Sequence, residues 1–409
     1  MKNKVILLLI VFFSTVVNAQ IVDIPDPNFK NALVNTLCVA SEYQGDPAWD
    51  ADVNNDGEIQ VSEAEAVVHL VISGQNIASL EGIETFTGLK SLFCGGNQIS
   101  DLEMSNSPNL EYLNCNSNGL ESLIVSQNTN LIKLSFLNNN IQSLDVTQNT
   151  NLEELICYNN LIQNLDLSQN TNLYYLQASN NQLSSLDITQ NINLVSCSLA
   201  HNFINEIDLS QNINLLGFGI NDNNITALDV SNNPELKLLT CHNNPLTGEL
   251  DLSHLNGGMY ALMCNNTLLS SLNIKNGDNV NLTRMWAQDN PNLTCIQVDD
   301  VDYANSQFCQ SSSGWCKDET TIYSEDCNLG IEDNLPSQLT IYPNPTKGFI
   351  HIESNHTINS IKVFDVLGKL VFQENNQVNQ IDISSLDHGL FFVKIETDQG
   401  ISTQKVLKQ

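Results

Sequence analysis

Leu131-Ile132-Lys133-Leu134-Ser135-Phe136-Leu137-Asn138-Asn139-Asn140-Ile141 is the stretch whose reading decides the fold. Its first leucine recurs at Leu89, Leu110, Leu131, Leu152, Leu173, Leu194, Leu215 and Leu236, each 21 residues after the last. An Asn series keeps the same step through Asn97, Asn118, Asn139, Asn160, Asn181, Asn202, Asn223 and Asn244. A fixed period in the twenties means one supersecondary unit repeated. Such a unit cannot bury its apolar face alone, so it stacks on its neighbours.

The spelling L-x-x-L-x-L-x-x-N-x-L is that of a leucine-rich-repeat solenoid. Each repeat is expected to carry a short strand with two inward residues, Leu113 and Cys115 for example, in a parallel sheet on the concave side. Each buried Asn amide is expected to satisfy backbone groups of adjacent coils. The returning half repeats Leu-Asp-x-Ser/Thr-Gln-Asn, whose Ser, Asp and Asn favour tight turns, and a 21-residue coil leaves little room for a helix on the back. Its acidic column, Asp145, Asp166, Asp187, Asp208, Asp229 and Asp251, reads as hydrogen-bonded turns, with a line of divalent-cation ligands as the alternative. Cys94, Cys115, Cys157, Cys241 and Cys264 recur at one inward position and read as small buried apolar groups.

Outward strand positions gather Phe93, Tyr112, Leu137, Ile156, Tyr158 and Tyr175 in the first half of the concave face, among amides. Exposed aromatics with few charges suit a sugar or a partner's apolar anchor. Strands also favour such residues for their own packing.

The chain carries 46 acidic against 15 basic residues, a formal charge of −31. That surface repels phosphate backbones, so nucleic-acid binding is disfavoured. Lys2 and Lys4 precede the apolar run Val5–Phe13, with small residues near Ala19, which reads as a secretory signal peptide over 1–19. The run is too short for a membrane anchor and no later segment is apolar enough to span a bilayer. Export permits disulfides.

Residues 20–80 read as an N-terminal cap. Asp26-Pro27 is expected to start a helix burying Phe29, Ala32, Leu33 and Leu37. Then Asp52-Val53-Asn54-Asn55-Asp56-Gly57-Glu58-Ile59-Gln60-Val61-Ser62-Glu63 satisfies D-x-[DN]-x-[DN]-G-x5-E at each specified position. Calcium wants six to eight hard oxygens. Asp52, Asn54 and Asp56 offer side-chain oxygens, Glu58 a carbonyl, Gln60 a water-mediated contact and Glu63 two oxygens. A solitary loop of this kind, with no paired partner, falls in the roughly 10⁻⁴ to 10⁻³ M range. The same residues can also make a metal-free, Asx-turn-rich cap.

The repeats run over 81–296. Cys295, at the end of the repeats, and Cys309, Cys316 and Cys327, in the C-terminal cap and linker, 297–334, form an even set and point to two disulfides. Of three pairings, Cys295–Cys327 with Cys309–Cys316 is favoured. From 335 the period vanishes. Alternating strands at 350–353, 358–365, 369–373, 380–383, 390–396 and 402–407 argue for a small antiparallel β-sandwich.

Tyr342-Pro343-Asn344-Pro345, Val363 to Gly368-Lys369, Ile381 to Leu386 and Gly389 to Lys394 closely resemble the C-terminal sorting domain of type IX secretion cargo. The resemblance implies that residues 335–409 engage the type IX machinery, and that the passenger crosses the outer membrane to the cell surface or the medium. The rest resembles surface leucine-rich-repeat proteins that often carry such tails. The reading is then a non-catalytic recognition or adhesion protein whose concave face binds a protein or glycan. A structural coat component is the alternative, and an enzyme the second. His201 and His242 sit in repeats without evident Ser-Asp or metal-ligand company, and no phosphate loop, nucleophile elbow or H-E-x-x-H occurs.

Overall fold

A computed structural model describes residues 20–310, 313–327, 340–354, 356–366, 368–375, 378–398 and 400–409. Residues 1–19, read from sequence as a signal peptide, and residues 328–339 lie outside them. The chain divides into two compact units, Met1–Glu325 and Asp326–Gln409.

The first unit is a solenoid. Its thirteen-stranded sheet starts with Val39–Ala40 antiparallel to His69–Val71, then runs parallel from coil to coil as far as Gly314–Lys317. Register never slips in the regular coils: Tyr112 faces Lys133, which faces Glu154, which faces Tyr175. Period-2 alternation puts Leu113, Leu134, Leu155 and Leu176 inside, all buried. The back is turns and short strand pairs, Asp101–Glu103 on Ser122–Ile124 and later Thr247–Asp251 on Leu268–Asn273.

Three amide ladders hold the coils together. Asn160 stands for the first: its Nδ2 donates to the carbonyls of Phe136 (3.1 Å) and Cys157 (3.0 Å), and its Oδ1 accepts from Ile141 N (3.1 Å). The residue before each of these asparagines takes a left-handed conformation: Ser117, Asn138, Asn159, Asn180, His201, Asp222 and Asn243 all have φ between 52° and 57°. A second, wholly buried ladder comes from the Asn of the Gln-Asn turn. Asn149 Nδ2 donates to Val125 O (3.0 Å) and Asn128 O (2.8 Å), and Asn170 repeats this one coil on. A third is exposed, as in Asn151 Nδ2 to Thr129 O (3.0 Å). The Asp column makes Asx turns: Asp145, Asp166, Asp187, Asp208, Asp229 and Asp251 each accept from the backbone N–H two residues on.

Seven cysteines are reduced and buried, and burial pushes the Cys94 and Cys157 thiols up to about 12. They are inert packing groups rather than nucleophiles.

The N-terminal cap is tied down by one carboxylate. Asp26 Oδ1 caps helix α1, Pro27–Asn35, through Asn28 N and Phe29 N, while Oδ2 accepts from Ala78 N and Ser79 N of the first coil. Phe29, Ala32 and Leu33 are buried. Leu37 departs from the expected stripe: the helix stops at Asn35, Thr36 is extended, and Leu37 is 62% exposed. Helix α2, Val61–Ala66, closes the cap with a capping box between Gln60 and Glu63.

At the far end, helix α3, Val301–Ser306, is capped by Asp300. Buried Trp315 donates Nε1–H to Leu282 O (2.6 Å) and sits edge-on to Tyr303 and Tyr323. A disulfide joins Cys309 and Cys316, and Cys295 and Cys327 are also disulfide-bonded.

The second unit is two antiparallel sheets. One pairs Phe349–Glu353 with Thr340–Tyr342 and Gln380–Asp382, and the other orders Leu370–Glu374, Ile358–Phe364, Gly389–Thr397 and Gly400–Lys408. Ile350, Ile361, Val363, Val393, Ile395 and Val406 form its core. Asn344 ties the Pro343-Asn344-Pro345 segment to the last strand, donating to Lys405 O (2.6 Å) and accepting from Leu407 N (2.9 Å). Asp365 caps the turn at Gly368 (φ +78°) by accepting from Lys369 N. Gly389 opens the strand that ends at Thr397. No helix of the described residues is long and apolar enough to cross a membrane.

Candidate functional site

The concave sheet presents the broad outward face that the repeats build without burying it in their own core. Its outward positions lie in rows with no choice of register, since a slip by one residue would put the leucines outside. In the row next to Tyr112–Lys133–Glu154–Tyr175, Phe93 faces Asn114, Ser135 follows, and then Ile156.

Phe93, Tyr112, Leu137, Ile156, Tyr158 and Tyr175 are all half-buried on this face. They do not form one even stripe. Tyr43, from the cap segment after the first strand, lies over the N-terminal end and stacks on Tyr112 (centroids 3.7 Å apart, 18°) and on Phe93 (5.9 Å). Burial pushes the Tyr112 phenol above its usual range. Nothing in local sequence marked Tyr43, because its partners lie far along the chain.

Beside the stack is a charged centre. Lys133 Nζ and Glu154 Oε2 form an ion pair at 2.5 Å, and the Tyr174 hydroxyl donates to Glu154 Oε1 at 2.7 Å. Burial opposes the Glu154 carboxylate, but bonds from Lys133 and Tyr174 outweigh it and hold its pKa below the ordinary value. The Tyr174 phenol, bonded to that carboxylate, is pushed up to about 12. Asn116 fixes the adjoining backbone by accepting from Ser135 Oγ (2.8 Å) and Leu137 N (2.9 Å). Beyond Tyr175 the outward side chains shrink to Ser196, Ser198, Gly217 and Gly219, and nearer the far end the Arg284 guanidinium lies 5.3 Å from the Trp286 ring centroid.

The acidic loop of the cap is compact. Asp52 accepts from Asp56 N (3.1 Å) and Gly57 N (2.7 Å), and Gly57 (φ +83°) and Asn55 (φ +59°) supply the turn. Asn54 Nδ2 donates to Asp56 Oδ2 (3.2 Å) and Gln60 Oε1 (2.7 Å), and Gln60 Nε2 donates to Asp56 Oδ2 (3.0 Å). Glu63 accepts from Asn54 N (3.2 Å) and Gln60 N (2.9 Å). The Glu58 N–H and the Gln60 amide keep the Asp56 pKa below the usual range. Glu58 turns its side chain away to pair with Lys30 at 2.6 Å, leaving its carbonyl to the loop. Among the described residues no three acidic, imidazole or thiol groups already surround a common point as a metal cage. Here the amides of Asn54 and Gln60 donate to Asp56, and backbone N–H groups donate to Asp52 and Glu63.

Residues 340–409 match the family described as the secretion system C-terminal sorting domain. The chain is therefore exported by the type IX system to the cell surface or the extracellular space. No curated protein matches the chain. Among solved structures it is similar to the functional domain of InlJ from Listeria monocytogenes, described as including a cysteine ladder, at 20% identity, covering 94% of this chain and 97% of that one, TM-score 0.41. It is similar to an internalin, inlF, of the same organism at 22% identity, covering 67% and 89%, TM-score 0.41. A leucine-rich-repeat protein of Leptospira interrogans matches at 19% identity, covering 53% and 68%, TM-score 0.37. These likenesses concern the fold and leave the ligand open.

Proposed function

We propose that this exported solenoid is a non-catalytic recognition protein that binds a protein or glycan on its concave face, between Tyr112 and Tyr175. The observation that carries this reading is the half-exposed row Tyr112–Lys133–Glu154–Tyr175, flanked by Ile156 and Tyr158 on a rigid register. Aromatic rings cost little entropy to immobilise and offer both apolar area and a polar edge. A fixed ion pair among them supplies direction to an otherwise apolar contact. The mature chain, screened on glycan and extracellular-protein arrays, should give a hit that Tyr112→Ala, Tyr158→Ala and Tyr175→Ala together remove. Silence on both arrays would favour a structural coat component, for which self-association of the purified chain is the sign.

Calcium is the proposed staple of the cap. The loop's oxygens have the hard chemistry that ion prefers, and Asp52, Asp56 and Glu63 would hold it, with the Glu58 carbonyl. Asn54 and Gln60 would have to turn their amide oxygens inward in place of the bonds they now donate. The ion would supply charge balance to three carboxylates and nothing catalytic.

A further inference from the structure

One flank of the solenoid, beside the start of the concave strands, turns from charged to apolar over three coils. Tyr174 N donates to Glu153 O, Val195 N to Tyr174 O, Leu216 N to Val195 O and Lys237 N to Leu216 O. These residues therefore stand in one row, a coil apart. The row begins with Lys90 and Glu111, which pair with each other at 2.9 Å. Farther along, Tyr174, Val195 and Leu216 line an open groove of about 620 Å³ together with Glu153 and Glu235. Tyr174 is 39% and Leu216 42% exposed.

The fold does not ask for this surface. The turn before the row reads Asn-Thr-Asn-Leu in three coils, with Thr129, Thr150 and Thr171. The next two coils replace that threonine by Ile192 and Ile213, 52% and 55% exposed. Single exposed apolar residues are ordinary, but a contiguous patch of them marks a contact surface. The ledge beneath is rigid. Asn172, Asn193 and Asn214 line the groove and donate to carbonyls of the preceding coil, Thr150 O (3.2 Å), Thr171 O (3.0 Å) and Ile192 O (3.1 Å). The Tyr174 hydroxyl, bonded to Glu154 at 2.7 Å, holds its ring in place.

A carboxylate stands at either end. Among the described residues neither Glu153 nor Glu235 is in an ion pair: Glu235 accepts from the Asn256 amide (2.8 Å), and nearby Lys237 donates to Gly257 O (2.6 Å). Two copies of this chain laid groove to groove would set carboxylate against carboxylate, on a formal charge of −31 each. An anionic lipid surface would meet the same repulsion. The charges admit an occupant with positive ends.

We propose that this flank binds an extended segment of a protein partner, with Lys or Arg at its two ends on Glu153 and Glu235 and apolar side chains between them on Tyr174, Val195 and Leu216. Four coil steps of about 4.8 Å separate the two carboxylates' coils, and an extended segment of roughly six residues spans that distance. It is a second contact surface, beside the concave face and independent of it.

The test offers the full exported chain, fluorescently labelled, to two sets of immobilised six-residue peptides. One set has Lys or Arg at both ends and Leu, Val, Ile or Phe between; the other has Glu at both ends of the same interiors. The parent chain should bind the basic-ended set, and less as salt rises. Ile192→Thr with Ile213→Thr should weaken that binding at least about tenfold. Those threonines are what the preceding coils carry, so circular-dichroism melts should coincide with the parent's. Glu153→Lys with Glu235→Lys should turn the preference to the acid-ended set. The concave variant with Tyr112→Ala, Tyr158→Ala and Tyr175→Ala should bind as the parent does. Equal binding of both sets, undiminished binding by the threonine variant, loss in the tyrosine variant, or no binding up to millimolar peptide would overturn the proposal.

Discussion

Tyr43 lies on Tyr112 with ring centroids 3.7 Å apart and only 18° between their planes, so the cap reaches over the first coils of the concave sheet. The aromatic cluster is thereby divided. Phe93 and Tyr112 are partly spent on intramolecular stacking, and Tyr158 and Tyr175 are left more available to a partner. Tyr43→Ala should destabilise the chain by about 0.5–1.5 kcal/mol for each stacked pair lost. Denaturant melts check this, and an unchanged midpoint would show the stack to be energetically idle.

The buried amide ladder predicts a sharp contrast between two asparagines of one turn. Asn170→Leu removes donors to Val146 O (3.0 Å) and Asn149 O (2.9 Å) in a fully buried position. Val146 O keeps Asn149 N (3.0 Å) and Asn149 O keeps Leu152 N (3.0 Å), so each buried amide bond lost should cost about 0.5–1.5 kcal/mol. Asn172→Ala removes only an exposed bond to Thr150 O and should stay within about 0.5 kcal/mol. Similar losses for both would contradict the ladder as the source of coil-to-coil cohesion.

The Lys133–Glu154 pair makes a pH prediction. Because the folded pKa of Glu154 lies below the ordinary carboxylate value of the unfolded chain, its contribution is present above that ordinary value and lost as pH falls through the folded pKa. The stability gap between the parent chain and Glu154→Gln should be flat near neutrality and close in acid. A gap that widens on acidification would reverse the sign.

Calcium should raise the melting temperature of the mature chain, and Asp52→Ala with Glu63→Ala should abolish that rise. An unchanged melt in chelator would leave the loop as a hydrogen-bonded turn alone. Removal of residues 335–409 should hold the protein in the periplasm; a truncated chain displayed normally at the surface would refute dependence on the tail.

The leucine period made the solenoid legible, because inward positions must repeat if each coil is to be buried by the next. The sorting unit was legible too: its alternating runs became strands such as Ile358–Phe364 and Gly389–Thr397. What escaped the sequence was what depends on meeting across coils. Tyr43 meets Tyr112 only because the cap folds back. His201 and His242 looked solitary until the period carried Asp222 between them. Attention to the Asp of the turn also hid its Asn: the acid caps an exposed turn, whereas Asn149 and its successors bind the coils from within. Leu37 read as core because its spacing is helical, but the helix ends before it.

The measurement that bears most directly on recognition compares two variants on the same arrays. One carries Tyr112→Ala, Tyr158→Ala and Tyr175→Ala on the concave face, and the other Asp166→Asn, Asp187→Asn and Asp208→Asn on the turns. Binding lost in the first and kept in the second is the expected result. Binding kept by the first and lost by the second would place recognition on the turns and contradict the concave-face account.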